Sequence, residues 1–195
     1  MLTDEQTFRQ KPFRVHELLA DVPLHDIWVF HLPGGKDGLT AADFEILVFG
    51  MMDELQERNP AVKGLFQLRF FLGRIFHWDD AQPQRDQALS YVNRLTPADR
   101  ARSRVEPGSK SELGWVVYEF DNEWLTEFIN DTVQGFAFVG VDRQANEYTL
   151  YFTIYVKPIS WITPFYMALI DPFRRILIYP TMMRNVHQQW QQKYA

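Results

Sequence analysis

The sequence of 195 residues contains no cysteine. That excludes disulfides and thiolate metal sites, and it agrees with a reducing, cytoplasmic location. Charge of one sign is also scarce: 20 Lys and Arg stand against 25 Asp and Glu, a formal net charge of −5. A dedicated nucleic-acid binder needs a basic surface, so nucleic acid is not an expected partner. No uncharged apolar run reaches the roughly 18–20 residues needed to cross a bilayer, so no membrane span is expected. The nearest candidate, residues 162–186, is interrupted by Asp171, Arg174 and Arg175. The opening "MLTDEQTFRQKPFRVHELL" has no apolar stretch of the kind a secretory leader carries.

Signatures of chemistry are missing as well. There is no GxGxxG, no phosphate loop ending in GK[ST], no GxSxG elbow, and no HxxxH or HExxH. "LPGGKDG" is glycine-rich and reads as a turn. No cofactor, metal or catalytic residue is assigned on this basis. What the chain does have is apolar bulk, with 46% hydrophobic and 15% aromatic residues. Its length fits a single domain with a bulky core.

Periodicity divides the chain. Residues 1–23 read as an irregular arm with a short helical turn, and "LHDIWVFHL", residues 24–32, as a strand. Thr40 is placed to cap a helix in which Phe44, Leu47, Val48, Met51 and Leu55 recur at helical spacing. Asn59-Pro60 ends it and opens a second helix, with Leu65, Leu68, Phe71, Leu72 and Ile75 in a stripe. From Asp79 to Ser111 the chain is polar, with a short helix after Thr96-Pro97. Four antiparallel strands follow, over about 113–121, 123–131, 132–142 and 146–157. In the last, Leu150, Phe152, Ile154 and Val156 alternate with Thr149, Tyr151 and Thr153, and the aliphatic set is expected to face the core.

Three prolines punctuate the C-terminal segment. Thr163-Pro164 and Asp171-Pro172 each match an N-cap followed by proline at the first helical position. They predict a short helix over 164–170 and a long one from Pro172 towards Gln192. Pro180 has no such cap and is expected to kink the long helix, leaving the Ile176 carbonyl without its donor. The predicted buried stripe is Phe173, Ile176, Leu177, Met183, Val186 and Trp190.

This order, strand, two helices, antiparallel strands and long C-terminal helix, resembles the α+β helix-grip architecture of the START-like (SRPBCC) superfamily. There a curved antiparallel sheet wraps around a long C-terminal helix. "LHDIWVFHLPG", "NPAVKGLFQLRFFLGRIFHWD", "NDTVQGFAFVGV" and "YMALIDPFRRILIYPTMMR" are similar to the family called domain of unknown function 2867. The resemblance covers most of the chain. Members of that family often carry His where this chain has Gln134 and Arg175. Some relatives join the domain to an NAD(P)-binding module, which suggests an oxidoreductase as partner. The helix-grip resemblance implies a cavity between sheet and C-terminal helix that takes a small hydrophobic ligand. Residues placed to line it are Tyr118, Glu127, Val133, Ala137, Phe152, Ile154, Leu169, Phe173 and Leu177.

Individual residues admit rival readings. His25 and His31 fall on one face of a strand but are separated by about 20 Å, too far to share a metal. His16, His77 and His187 read as surface residues. Glu119, Asp121 and Glu123 sit at or near a hairpin turn and read as solvated. Glu127 lies in the apolar strand "WLTEFIN". Buried there, it would have a raised pKa or need a cation such as Arg69 or Arg174. It is then either a structural buried pair or an acid–base group acting on the ligand. Arg100, Arg102 and Arg104 are flanked by Asp99 and Glu106 and read as a solvated face. Aromatics populate both faces of the predicted strands. Phe136, Phe138, Tyr151 and Tyr155 on the second face suggest cover by the N-terminal arm or by a second subunit in a homodimer, the rival reading being tyrosines tolerated at the surface. A third reading is therefore an interaction domain with a filled core.

Overall fold

The computed structural model describes residues 2–49, 87–111, 113–129, 133–159, 163, 167, 168, 171, 175, 176 and 179–194. Labels below number the described elements in chain order. The arm holds α1 (Leu2–Arg9) and α2 (Val15–Leu18), followed by β1 (Leu24–Pro33) and α3 (Ala41–Phe49). A 3-10 turn, Tyr91–Arg94, precedes α4 (Pro97–Arg102). Then come β2 (Trp115–Glu119), β3 (Glu123–Ile129), β4 (Val133–Gln144), β5 (Glu147–Pro158) and α5 (Tyr179–Tyr194). The second predicted helix, residues 60–76, and most of the one at 164–170 lie outside the described residues.

The five strands form one curved antiparallel sheet in the order β1-β5-β4-β3-β2. Alternation sends Leu150 and Phe152 of β5 to one face, and Tyr151 and Tyr155 to the other. On the first face α3 and α5 pack as a helix layer. Phe44 stacks on Trp190 with ring centroids 5.5 Å apart, Tyr148 meets Trp190 at 5.8 Å, and Trp28 stacks on Phe152 at 5.5 Å. Gly35, at φ +88°, lets the chain pass this layer. A Cβ there would sit 2.8 Å from the Trp190 ring.

The second face is covered by the N-terminal arm. Phe8 lies 5.8 Å from Phe138 and 5.6 Å from Tyr151, and Phe13 lies 5.4 Å from Phe138. Val15, Leu18, Leu19 and Val22 continue the cover, and Tyr91 of the 3-10 turn meets Phe136 at 4.7 Å. Asp21 ties these pieces together. It takes hydrogen bonds from Arg94 at 2.7 and 3.1 Å, from Lys157 at 3.1 Å and from the Tyr91 hydroxyl at 2.9 Å. The Arg94 bonds foremost hold its carboxyl well below the usual carboxylate range.

The C-terminal stripe differs in phase from the prediction. The buried residues of α5 are Tyr179, Met182, Val186 and Trp190, while Met183 and Ile176 are exposed. Two anchors set this phase: the Tyr179 hydroxyl donates to Asp26 at 3.0 Å, and Trp190 Nε1 donates to the Pro33 carbonyl at 2.8 Å. Of the adjacent Met182 and Met183, only one can then face the sheet. Arg175 and Ile176 lie in a π-helical turn. Such a turn holds more residues than an α-turn, so a stripe extended through it at 3.6 residues per turn falls out of register. Pro180 lies at the start of the described part of α5. The bend expected ahead of it involves residues outside the described ones.

The two sheet edges are treated differently. Residues 104–111 run along β2 and close it, through Arg104 N to Glu119 O at 2.8 Å, Gly108 N to Val116 O at 2.7 Å and Val116 N to Ser109 O at 2.8 Å. Beside β1 the only described strand is β5.

Candidate ligand-binding site

The expected lining residues separate onto opposite faces. On β3, Glu123, Leu125 and Glu127 alternate with Trp124 and Thr126, and the odd-numbered set faces the arm. Tyr118 is on that side too. Ala137, Phe152 and Ile154 face the helix layer. Val133 packs with Val156, Phe128 and Met167 at the end of the same face. The sheet itself therefore stands between Tyr118 and Glu127 on one side and Val133, Ala137, Phe152 and Ile154 on the other. Leu169, Phe173 and Leu177 lie outside the described residues, as do Arg69, Arg174 and His77.

Glu127 is buried, with 0% exposure, and its described partners are all neutral. The Tyr91 N–H donates to one carboxylate oxygen at 2.9 Å, the Ser90 hydroxyl donates to the other, and the Gln134 amide adds a third donor. Burial pushes its pKa up, and the three donors oppose that shift. Ser90 and Tyr91 form the N-terminal end of the 3-10 turn. The carboxylate thus caps that turn from the sheet directly beneath it. Both of its oxygens are committed to protein groups, which leaves the acid–base reading without a contact to substrate.

Glu123, two positions along the same face, repeats the arrangement. It is 1% exposed, not solvated as its place beside a hairpin turn suggests. The Tyr118 hydroxyl donates to it at 3.0 Å, and the backbone N–H groups of Arg14 and Val15 at the start of α2 supply the others. Burial raises its pKa, and the backbone and phenol donors offset part of the rise. Tyr118, fully buried beside it, is held well above the ordinary phenol value, chiefly by desolvation. Glu119 is also buried, and burial lifts its pKa while Arg104 pulls the other way. Only Asp121 of the three turn carboxylates is exposed; it pairs with Arg104 at 3.0 Å. The solvated reading fails for Glu119 and Glu123 because residues distant in sequence cover them.

Between the described part of α5 and the sheet, aromatic rings fill the layer. Between α3 and α5 a crevice of about 70 Å³ lies among Phe44, Leu47, Gln189 and Trp190. Larger openings lie elsewhere. One of about 330 Å³ runs between the arm and β5, lined by Arg9, His16, Leu19 and Tyr155 among others. Another of about 390 Å³ lies beside α3 on the helix face, where Ile46 and Phe49 face Val116, Trp124 and Val105. Glu45, Ser109, Lys110 and Ser111 form its rim. Ile46 is 65% exposed there, and the Trp124 indole N–H is buried without a hydrogen-bond partner. The stretch carrying Val105 and Ser109 read as polar surface in the sequence. Its signal was Pro107-Gly108, a turn that returns the chain along β2; Gly108 has φ +91°.

The described histidines are dispersed. His16 donates to the Phe8 carbonyl at 3.0 Å, and desolvation lowers its pKa. His25 pairs with Asp171 at 3.2 Å, and His31 with Glu147 at 3.0 Å. Among the described residues no three His, Asp or Glu side chains converge as a metal site would require. Nor is any described helix long and apolar enough to cross a membrane.

No curated protein and no solved structure matches the chain. A family model, protein of unknown function DUF2867, matches residues 18–181. That match spans β1, the helix layer, all the remaining strands and the start of α5, so this chain belongs to the DUF2867 family.

Proposed function

We propose that this protein binds a small hydrophobic molecule in the cleft between α3 and the β2–β3 end of the sheet. The observation that carries the reading is the cleft itself. At about 390 Å³ it is in the range that accommodates small ligands, and its interior is made by Ile46, Phe49, Val116 and Trp124. This differs from the position beneath the C-terminal helix that the helix-grip resemblance implies. A START-like assignment remains part of the reading, supported by the antiparallel sheet and terminal helix. The cleft is its working site.

The unpaired Trp124 N–H suits a ligand with one acceptor atom, admitted by a small shift of the ring. Native mass spectrometry of the purified protein should show a co-purified apolar molecule, absent from Ile46→Asp. Trp124 fluorescence should respond to titration with a medium-chain alcohol, and the response should be lost in the same variant. No bound mass and no response to any apolar probe would refute the reading.

A further inference from the structure

The arm does more than cover the second face of the sheet; it walls a cavity there. The opening of about 330 Å³ has residues of the arm on one side and Tyr155 of β5 on the other. That volume is near the lower end of what small-molecule sites occupy. Leu19, Val22 and Leu24 give it apolar walls, and Arg9, His16 and Tyr155 give it polar ones. Arg9 and His16 precede residues 18–181, which the family model matches, so the arm's polar share lies outside the matched domain.

The polar side chains are arranged for an anion. Arg9 is 56% exposed, and its Nε and Nη2 converge on one Glu5 oxygen at 2.8 Å. A guanidinium has a second edge, Nη1 with Nη2, whose fork matches a carboxylate. Tyr155 is 4% exposed. Burial pushes its phenol well above the ordinary value, and the positive charge of Arg9 opposes that shift. The phenol therefore keeps its proton, as a donor that feels the Arg9 charge. His16 is a wall rather than a donor to the cavity, because its Nε2 donates to the Phe8 carbonyl at 3.0 Å. Asp21, also on the wall, is compensated by Arg94 and Lys157. Arg9, Arg94 and Lys157 set against Glu5 and Asp21 leave the surround net positive.

We propose that the arm cavity binds a small monocarboxylate with an apolar tail, its carboxylate between the Arg9 guanidinium and the Tyr155 hydroxyl and its tail against Leu19, Val22 and Leu24. This site is on the other face of the sheet from the α3 cleft and does not depend on it. A molecule held between α1 and β5 fastens the arm, so occupancy and arm stability are linked.

Calorimetric titration of the whole protein with phenylacetate and with hexanoate tests this. Both should bind saturably, and phenylacetamide, the uncharged counterpart, about tenfold more weakly than phenylacetate. Arg9→Gln should weaken both acids by about the same factor with an unchanged melt, since Arg9 is at the surface. Glu5→Gln breaks the same ion pair but removes a competing carboxylate, so it should bind the acids as well or better. Protease cleavage within residues 1–22 should slow when phenylacetate is bound. No saturable binding of either acid overturns the proposal, as do equal affinities for acid and amide or full binding in Arg9→Gln. Equal loss in Glu5→Gln and Arg9→Gln would make the pair structural and would overturn it too.

Discussion

The two faces of one sheet are covered by different means. On the helix face, α3 and α5 bring long apolar surfaces, and contact is mainly ring on ring. On the arm face α1 has eight residues, but two other covering pieces are short: α2 has four residues and the 3-10 turn has four. Turns of that length do not hold themselves, since a helix nucleus is costly and returns few hydrogen bonds. Each is therefore held at its N-terminal end by a buried glutamate of β3, Glu123 for α2 and Glu127 for the 3-10 turn. Carboxylates suit this place because the start of a helical turn presents free N–H groups and a partial positive charge. Where the cover is long, apolar area suffices. Where it is short, buried polar bonds fix it.

The harshest way to break the contrast is to delete residues 1–22. Phe136, Phe138, Tyr151 and Tyr155 would lose their cover, at about 1.5–3 kcal/mol for each large side chain. The sum rivals the whole stability of a domain, so the truncated chain should bind a hydrophobic dye and aggregate. A truncated chain that melts cooperatively would show that the arm is dispensable.

On the helix face, Trp190→Ala should cost about 3–5 kcal/mol, a fall in Tm of roughly ten degrees. The arm should stay as resistant to protease as before. Glu127→Ala should cost less, about 2–3 kcal/mol, because it strands the Tyr91 N–H and the Ser90 hydroxyl. Here limited proteolysis should rise at the 3-10 turn with α5 unaffected. Glu127→Gln, whose amide oxygen still accepts, should fall between. Equal protease profiles for the Trp190 and Glu127 variants would erase the distinction between faces.

The smallest effect is on pH. Glu123 and Glu127 have pKa values raised in the folded state above the ordinary 4.5. The folded chain then holds protons that the unfolded chain has lost. Their contribution is full below pH 4.5 and is lost as pH rises through the folded values. Asp21 and Asp99 are depressed and act oppositely, stabilising above 3.8 and losing that as pH falls. Denaturant melts should therefore show stability declining above mildly acidic pH. The decline should flatten in Glu123→Gln with Glu127→Gln.

Much of this was legible in the residues. Alternation placed the five strands within a few positions, because each had one face apolar enough to fix its register. Aromatics on both faces suggested cover for the second by the arm or by a second subunit, against tyrosines left at the surface, and it is the arm that lies there. The apolar neighbours of Glu127 singled it out as a carboxylate whose pKa would rise if it pointed inward, and it does. Glu123 was misread because its burial comes from Val15 and Tyr118 across a turn and a distant arm, which no local pattern records. The α3 cleft was missed for a similar reason: Val105 and Ser109 look like surface until Pro107-Gly108 folds them against β2. The stripe of α5 slipped by one residue at Met182 and Met183 because the anchors of Tyr179 on Asp26 and of Trp190 on Pro33, distant in sequence, choose between two adjacent methionines.

The bond from Val15 N to Glu123 has a consequence for how the chain is made. Its two ends are separated by 108 residues. During synthesis Phe8 and Phe13 emerge before the strand that fastens them, which is completed only after the intervening residues have followed. For that interval the face on which the two phenylalanines dock does not exist, and they stay uncovered by it.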